Sequence, residues 1–157
     1  MHLLRGILVA LILGVAAPAF ASHYFLDDIS DRFSELALAE FDRFGYRTTE
    51  DVLLNVLTPE DRTVLSEATG IPGGELAEIA QMCEMLQVTG VGPRAYALLQ
   101  AAGVTDVRDL AGRVPEELVA QLAAANAVHA HTGANPHLEV VVGWIGAAAD
   151  VPLHVEL

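Results

Sequence analysis

The chain of 157 residues carries 21 acidic residues against 8 basic ones, all Arg and none Lys, for a net charge of −13, with 53% of its residues apolar. That length suffices for one domain with a core, or for two small units sharing one. So acidic a balance argues against polyphosphates and anionic membranes as preferred partners, and it suits a soluble protein or one that docks on a basic partner.

Residues 1–21, MHLLRGILVALILGVAAPAFA, have the form of a secretory signal peptide. Arg5 makes the positive start, Gly6 to Ala17 the apolar run, and Ala19-Phe20-Ala21 a small-x-small cleavage site behind the helix breaker Pro18. Cleavage after Ala21 is expected, giving a periplasmic or secreted protein with no stable membrane span. No Cys follows the cut, so a lipoprotein is not expected.

Ser30 to Phe44 reads as one helix, with Phe33, Leu36, Ala37, Phe41 and Phe44 on its apolar face, ended by Gly45. Thr48 caps a short second helix with Glu50 and Asp51 in its first turn. Thr58-Pro59-Glu60-Asp61 opens a third that runs to about Thr69. After a Gly70–Gly74 loop, a fourth runs to Leu86 with Leu76, Ile79, Cys83 and Leu86 on one face.

Val88 to Leu110 organises the rest. Gly90-Val91-Gly92 forms a tight hairpin in which the glycines allow close approach and Val91 points inward. Pro93 opens a helix that stops at Gly103, and Thr105-Asp106 caps the next. This is the pattern of a helix-hairpin-helix unit. Pro115 opens a helix to about Val128, and a loop rich in His, Gly and Asn follows, Ala127–Pro136. The last helix is Leu138 to Ala149, with Leu138, Val141, Val142, Ile145 and Ala149 inward and Trp144 alongside. The tail Leu153–Leu157 alternates and is expected to lie extended.

The chain repeats itself. Phe44–Leu53 aligns with Ala102–Ala111 at an offset of 58, and Thr58-Pro59-Glu60-Asp61 aligns with Val114-Pro115-Glu116-Glu117 two residues out of step. The expected fold class is therefore all-α, with two stacked helix-hairpin-helix-like repeats forming one compact helical domain. The first, degenerate repeat takes residues 22–86 and the second, with the C-terminal helix and tail, residues 87–157. The charge divides unevenly between them: 14 acids and 4 Arg in the first, 7 acids and 3 Arg in the second.

The pieces TTEDVL, TPEDRTVLSEATGI, GVGPRAYALLQAAGV, VRDLAGRVPEELVAQLAAANA and the closing P-x-x-x-x-V-x-x-W-I resemble domain-of-unknown-function family 4332, in order, from about Leu26 to Val155. The resemblance implies a bacterial protein of two helix-hairpin-helix repeats with no established activity. Two departures stand out. Arg32-Phe33-Ser34 replaces the first repeat's G-x-G hairpin, and Tyr96 occupies a position usually held by a small residue.

Three sets of residues invite chemistry. A phosphate-binding hairpin would use the backbone of Gly90, Val91 and Gly92 with the cations Arg94, Arg108 and Arg113, although so few cations in so acidic a chain disfavour nucleic acid. His129, His131 and His137 have the types to hold Zn or Cu, against the plainer reading of an exposed polar loop. Tyr96 and Trp144 are candidate contacts for a protein partner. Cys83 is a lone thiol on an apolar face, expected inert. No nucleophile–base set, phosphate loop or dinucleotide motif is present, so a non-enzymatic protein-interaction or structural module without a cofactor is expected, with an exported protein as its partner.

Overall fold

The computed structural model describes residues 23–157. The leader expected over residues 1–21 lies outside the described residues. The chain enters extended: Leu26 N–H donates to the Arg47 carbonyl and Thr49 N–H to the Tyr24 carbonyl, both at 2.9 Å. A 3-10 helix follows, Leu26–Arg32, and then eight α-helices: α1 Glu35–Phe44, α2 Thr49–Leu53, α3 Pro59–Thr69, α4 Gly73–Leu86, α5 Pro93–Ala101, α6 Val107–Ala111, α7 Pro115–His129 and α8 Leu138–Ala148. The described fold is all-α.

One expected helix, Ser30–Phe44, is in fact two pieces. Ser34 adopts an extended backbone and its hydroxyl accepts from Ala37 N–H at 3.1 Å, so the serine caps α1 instead of continuing a helix through itself. Of the expected face, Ala37 and Phe41 are buried, whereas Leu36 and Phe44 are exposed.

The starts of α2 and α3 are reciprocal capping boxes. Thr48 pairs with Asp51, and Thr58 with Asp61. Hydrogen bonds from Thr58 hold the Asp61 carboxyl below its usual range. Thr58→Ala removes the acceptor for the Asp61 N–H, so it should cost about 1 kcal/mol. In a thermal melt that is a drop of about 2–4 °C, and an unchanged melt would refute the cap's role.

The sequence repeat reappears in the backbone. Gly45 and Gly103 both take left-handed φ, +79° and +82°. Behind each, a backbone N–H (Arg47, Thr105) donates at 2.9 Å to the Oδ2 of the aspartate four residues on, Asp51 or Asp109. Helices α2 and α6 then each run five residues, and Pro59 and Pro115 open α3 and α7. Helix α4 packs on α2 and α3, as α8 packs on α6 and α7. The turn 87–92 joins α4 to α5.

Helix α8 buries a different face from the one expected. Val141, Trp144 and Ala148 point inward, and Leu138 and Val142 face solvent. The helix is apolar on nearly every side, so periodicity does not choose its inner face; burial of the large Trp144 ring does.

The tail is extended and ties the two halves together. Glu156 N–H donates to the Leu57 carbonyl at 2.9 Å. The buried Arg62 donates from Nη1 to the Val56 carbonyl (2.9 Å) and from Nη2 to the Glu156 carbonyl (2.7 Å). Gln87 Nε2 donates to the Leu153 carbonyl, and Glu84 Oε1 accepts from Val155 N–H.

Candidate docking surfaces

The α4–α5 turn is pinned from inside. Val88 and Val91 are fully buried, and Val91 N–H donates to the Val88 carbonyl at 2.9 Å. Gly90 (φ +87°) lies against the Trp144 indole, and Gly92 against the Tyr24 hydroxyl. A Cβ added at these glycines would stand 3.1 Å from Trp144 Nε1 and 3.3 Å from Tyr24 Oη. Trp144 and Tyr96 are therefore core residues, 6% and 8% exposed, and not the surface contacts expected of them. The Tyr96 hydroxyl accepts from Gln100 Nε2 at 2.6 Å, and burial pushes its pKa up to about 12. The departure from a small residue at this position is accommodated by sinking the ring into the core.

The expected cation set around the turn does not assemble. Arg94 is exposed at the start of α5, beside an open cavity that it shares with Arg32, Asp28 and Asp31. Arg113 sits at the other end of α5. Its Nη2 donates to the Gly103 carbonyl at 2.7 Å, and it forks onto Asp109 through Nε (2.8 Å) and Nη2 (2.7 Å). Nine residues of helix, about 13 Å, separate the two ends. Sequence proximity misleads here because α6 folds back to the C-terminal end of α5. Among the described residues Arg94 and Arg108 have no ion-pair partner. Arg32, Arg43, Arg47 and Arg113 are paired with Asp31, Glu40, Asp42 and Asp109.

The histidines do not converge either. Ala130 takes a left-handed turn (φ +50°) at the end of α7, which stacks the His129 and His131 rings at 5.4 Å. His137 stands apart as the residue that precedes α8. The loop between is held by Asn126, which bonds Thr132 in both directions at 3.0 Å and Asn135 at 3.0 Å. Among the described residues no group of three His, Cys, Asp or Glu side chains is placed to hold a metal ion. Cys83 is buried, and burial pushes its thiol up to about 12, which keeps it protonated and unreactive.

A large concave surface lies outside these expectations. An open groove of about 1070 Å³ runs between the 3-10 helix, α4 and α5. Asp31, Glu75 and Glu78 carry its charge with Arg32, and Ile79 and Met82 are among its other lining residues. The i, i+3 pair Glu75/Glu78 was a usable signal, because it puts two carboxylates on one face of α4.

These features define an all-helical protein of two like units, joined by a buried-pin turn and strapped by the tail. The chain belongs to the family of domain of unknown function DUF4332, whose pattern matches residues 33–151. No curated protein and no solved structure is detectably similar to it. Among the described residues no helix is long and apolar enough to cross a membrane.

Proposed function

We propose that the protein is a non-enzymatic docking module, exported from the cell, that binds a basic protein partner on its first unit. Its α4–turn–α5 segment is read as a helix-hairpin-helix unit used for packing. The observation that carries the docking reading is the groove: three carboxylates of the more acidic first unit line it against one arginine, Arg32, with Ile79 and Met82 among its other lining residues. Such a surface suits Arg or Lys side chains, whose aliphatic stems lie on apolar atoms while their charged heads meet carboxylates. Export is supported by the leader-like residues 1–21.

The test is capture from the exported fraction with the wild-type protein and with a Glu75→Lys/Glu78→Lys variant. A partner held by the wild type and released by the charge reversal is expected. Capture indifferent to the reversal, or no partner at all, would sink the reading. In parallel, labelled DNA should show no anisotropy change even at low salt, where phosphate contacts are strongest. Binding to DNA that is lost in Arg94→Ala would replace protein docking with phosphate recognition.

A further inference from the structure

Helix α8 carries a second apolar stripe that the fold leaves open. Its sequence, LEVVVGWIGAA, holds one charged residue, Glu139, yet only three of its eleven residues are buried: Val141, Trp144 and Ala148. Those three form the inner face, and α8 packs on α6 and α7. Leu138, Val142, Ile145 and Ala149 fall on a different side of the helix, spaced four, three and four residues apart. That is the spacing with which one helix presents an apolar seam to another. Leu138 and Val142 are 42% and 49% exposed, Ala149 is exposed and Ile145 is half-buried.

Helix α4, which holds the equivalent place in the first unit, shows the contrast. It packs on α5 as well as on α2 and α3, and eight of its fourteen residues are buried. A stack of like units ends on a polar outer face where nothing further docks on it. Here the last helix ends the stack on an apolar stripe. Charge narrows the occupant. From Leu118 to Ala149 the chain carries a single formal charge, Glu139, although it has 21 acids and 8 Arg in all. A basic protein finds no row of carboxylates on α8. Helices that lie on lipid carry Lys or Arg on their polar side, and α8 has neither. A second copy of this chain brings the same uncharged stripe, so two chains of net charge −13 meet where neither presents its acids in number.

We infer that the protein forms a two-fold symmetric dimer in which the Leu138/Val142/Ile145/Ala149 stripe of α8 packs on the same stripe of a second copy. An antiparallel crossing matches large residues to small ones: Leu138 meets Ala149 of the second copy, and Val142 meets its Ile145. It also sets the positive end of each helix dipole beside the negative end of the other. The groove of Asp31, Glu75 and Glu78 is built from other elements, so the dimer and the docking reading stand or fall separately.

Sedimentation equilibrium of the purified protein, from micromolar to millimolar concentration and at low and molar salt, reads the dimer. A monomer–dimer equilibrium that strengthens with salt is expected, because salt screens the repulsion between two acidic chains and leaves apolar burial intact. Each substitution acts twice across a two-fold axis, so Val142→Glu should weaken the dimer by about a hundredfold. Leu138→Glu should act in the same way, and a Glu in the first turn of α8 suits the helix dipole, so the fold is kept. Leu36→Glu adds the same charge on α1, at a position 44% exposed, and should leave the dimer unchanged. Trp144 lies on the buried side of α8, so its unaltered emission in the α8 variants shows that the helix still docks on its own fold. A protein monomeric throughout the range, a dimer indifferent to both α8 substitutions, one that weakens with salt, or one weakened equally by Leu36→Glu would each overturn the inference. So would binding of the monomer to phosphatidylcholine vesicles that Val142→Glu abolishes, or capture of an exported partner that Val142→Glu abolishes. Those two results would give the stripe to lipid or to that partner.

Discussion

Gly90→Ala should be among the most damaging single-methyl additions in the chain. Two costs fall on it together. The backbone there is left-handed (φ +87°), which an alanine tolerates at about 1–2 kcal/mol. The new Cβ would also stand 3.1 Å from Nε1 and 3.4 Å from Cδ1 of Trp144, a buried ring with core on its other side. Crowding of that kind typically costs about 1–3 kcal/mol. Gly103 isolates the first cost, because its φ is +82° and a Cβ there meets nothing within 4 Å. Gly103→Ala should therefore lose about 1–2 kcal/mol and Gly90→Ala about 2–5 kcal/mol. In thermal melts this separates drops of a few degrees from drops of about 5–15 °C. Trp144 is the only tryptophan, so its emission should shift in Gly90→Ala and not in Gly103→Ala. Equal melts for the two variants would refute the contact.

That comparison bears on what the turn is for. A hairpin that offered its backbone to phosphate would need its outer face open and cationic. Here one glycine is pressed on an indole, the other faces a tyrosine hydroxyl, and the neighbouring cavity holds Asp28 and Asp31 beside Arg32 and Arg94. The glycines are explained by the close approach of Trp144 from α8 and of Tyr24 from the entering segment.

Signals confined to a few neighbouring residues were legible in the sequence. The caps at Thr48, Thr58 and Asp106, the helix-opening Pro59, Pro93 and Pro115, and the left-handed Gly45 and Gly103 all depend on local hydrogen bonds and φ. The repeat offset was legible for the same reason. What required three dimensions was not. Arg108 and Arg113 lie close to Arg94 in sequence, but the α5–α6 turn carries Arg113 to the far end of α5. His129 and His131 meet, yet Asn126 and the left-handed Ala130 shape the loop without bringing in His137. In α8 the apolar residues surround the helix, so only the shape of the core selects Val141, Trp144 and Ala148. The groove of Asp31, Glu75 and Glu78 combines two segments some forty residues apart, and Glu75 already has a local explanation in the first turn of α4.

The tail carries the second large expected effect, and here buried polar groups act on backbone and not on one another. Glu84 is 3% exposed, and its Oε1 accepts from Val155 N–H at 3.1 Å and lies 3.2 Å from His154 Nδ1. Arg62 is buried without a carboxylate partner among the described residues; carbonyls of Val56, Leu57 and Glu156 take its protons. Glu84→Ala deletes the acceptor and leaves a buried N–H with none, a loss of about 1–3 kcal/mol. Detachment of the tail would add the exposure of Val151 and Val155, both buried now, at about 1.5–3 kcal/mol for each side chain fully released. Glu84→Gln keeps an oxygen for Val155 N–H and should lose less. Because the tail ends the second unit yet bonds to α3 and α4 of the first, its release should also loosen the units from each other. Hydrogen exchange reads this directly. In Glu84→Ala the Val155 and Glu156 amides should lose protection while those of α6 and α8 keep theirs. If the tail amides stay protected, the strap is held without Glu84, by Val151 and Val155 packing and the Arg62 and Gln87 bonds to the tail carbonyls.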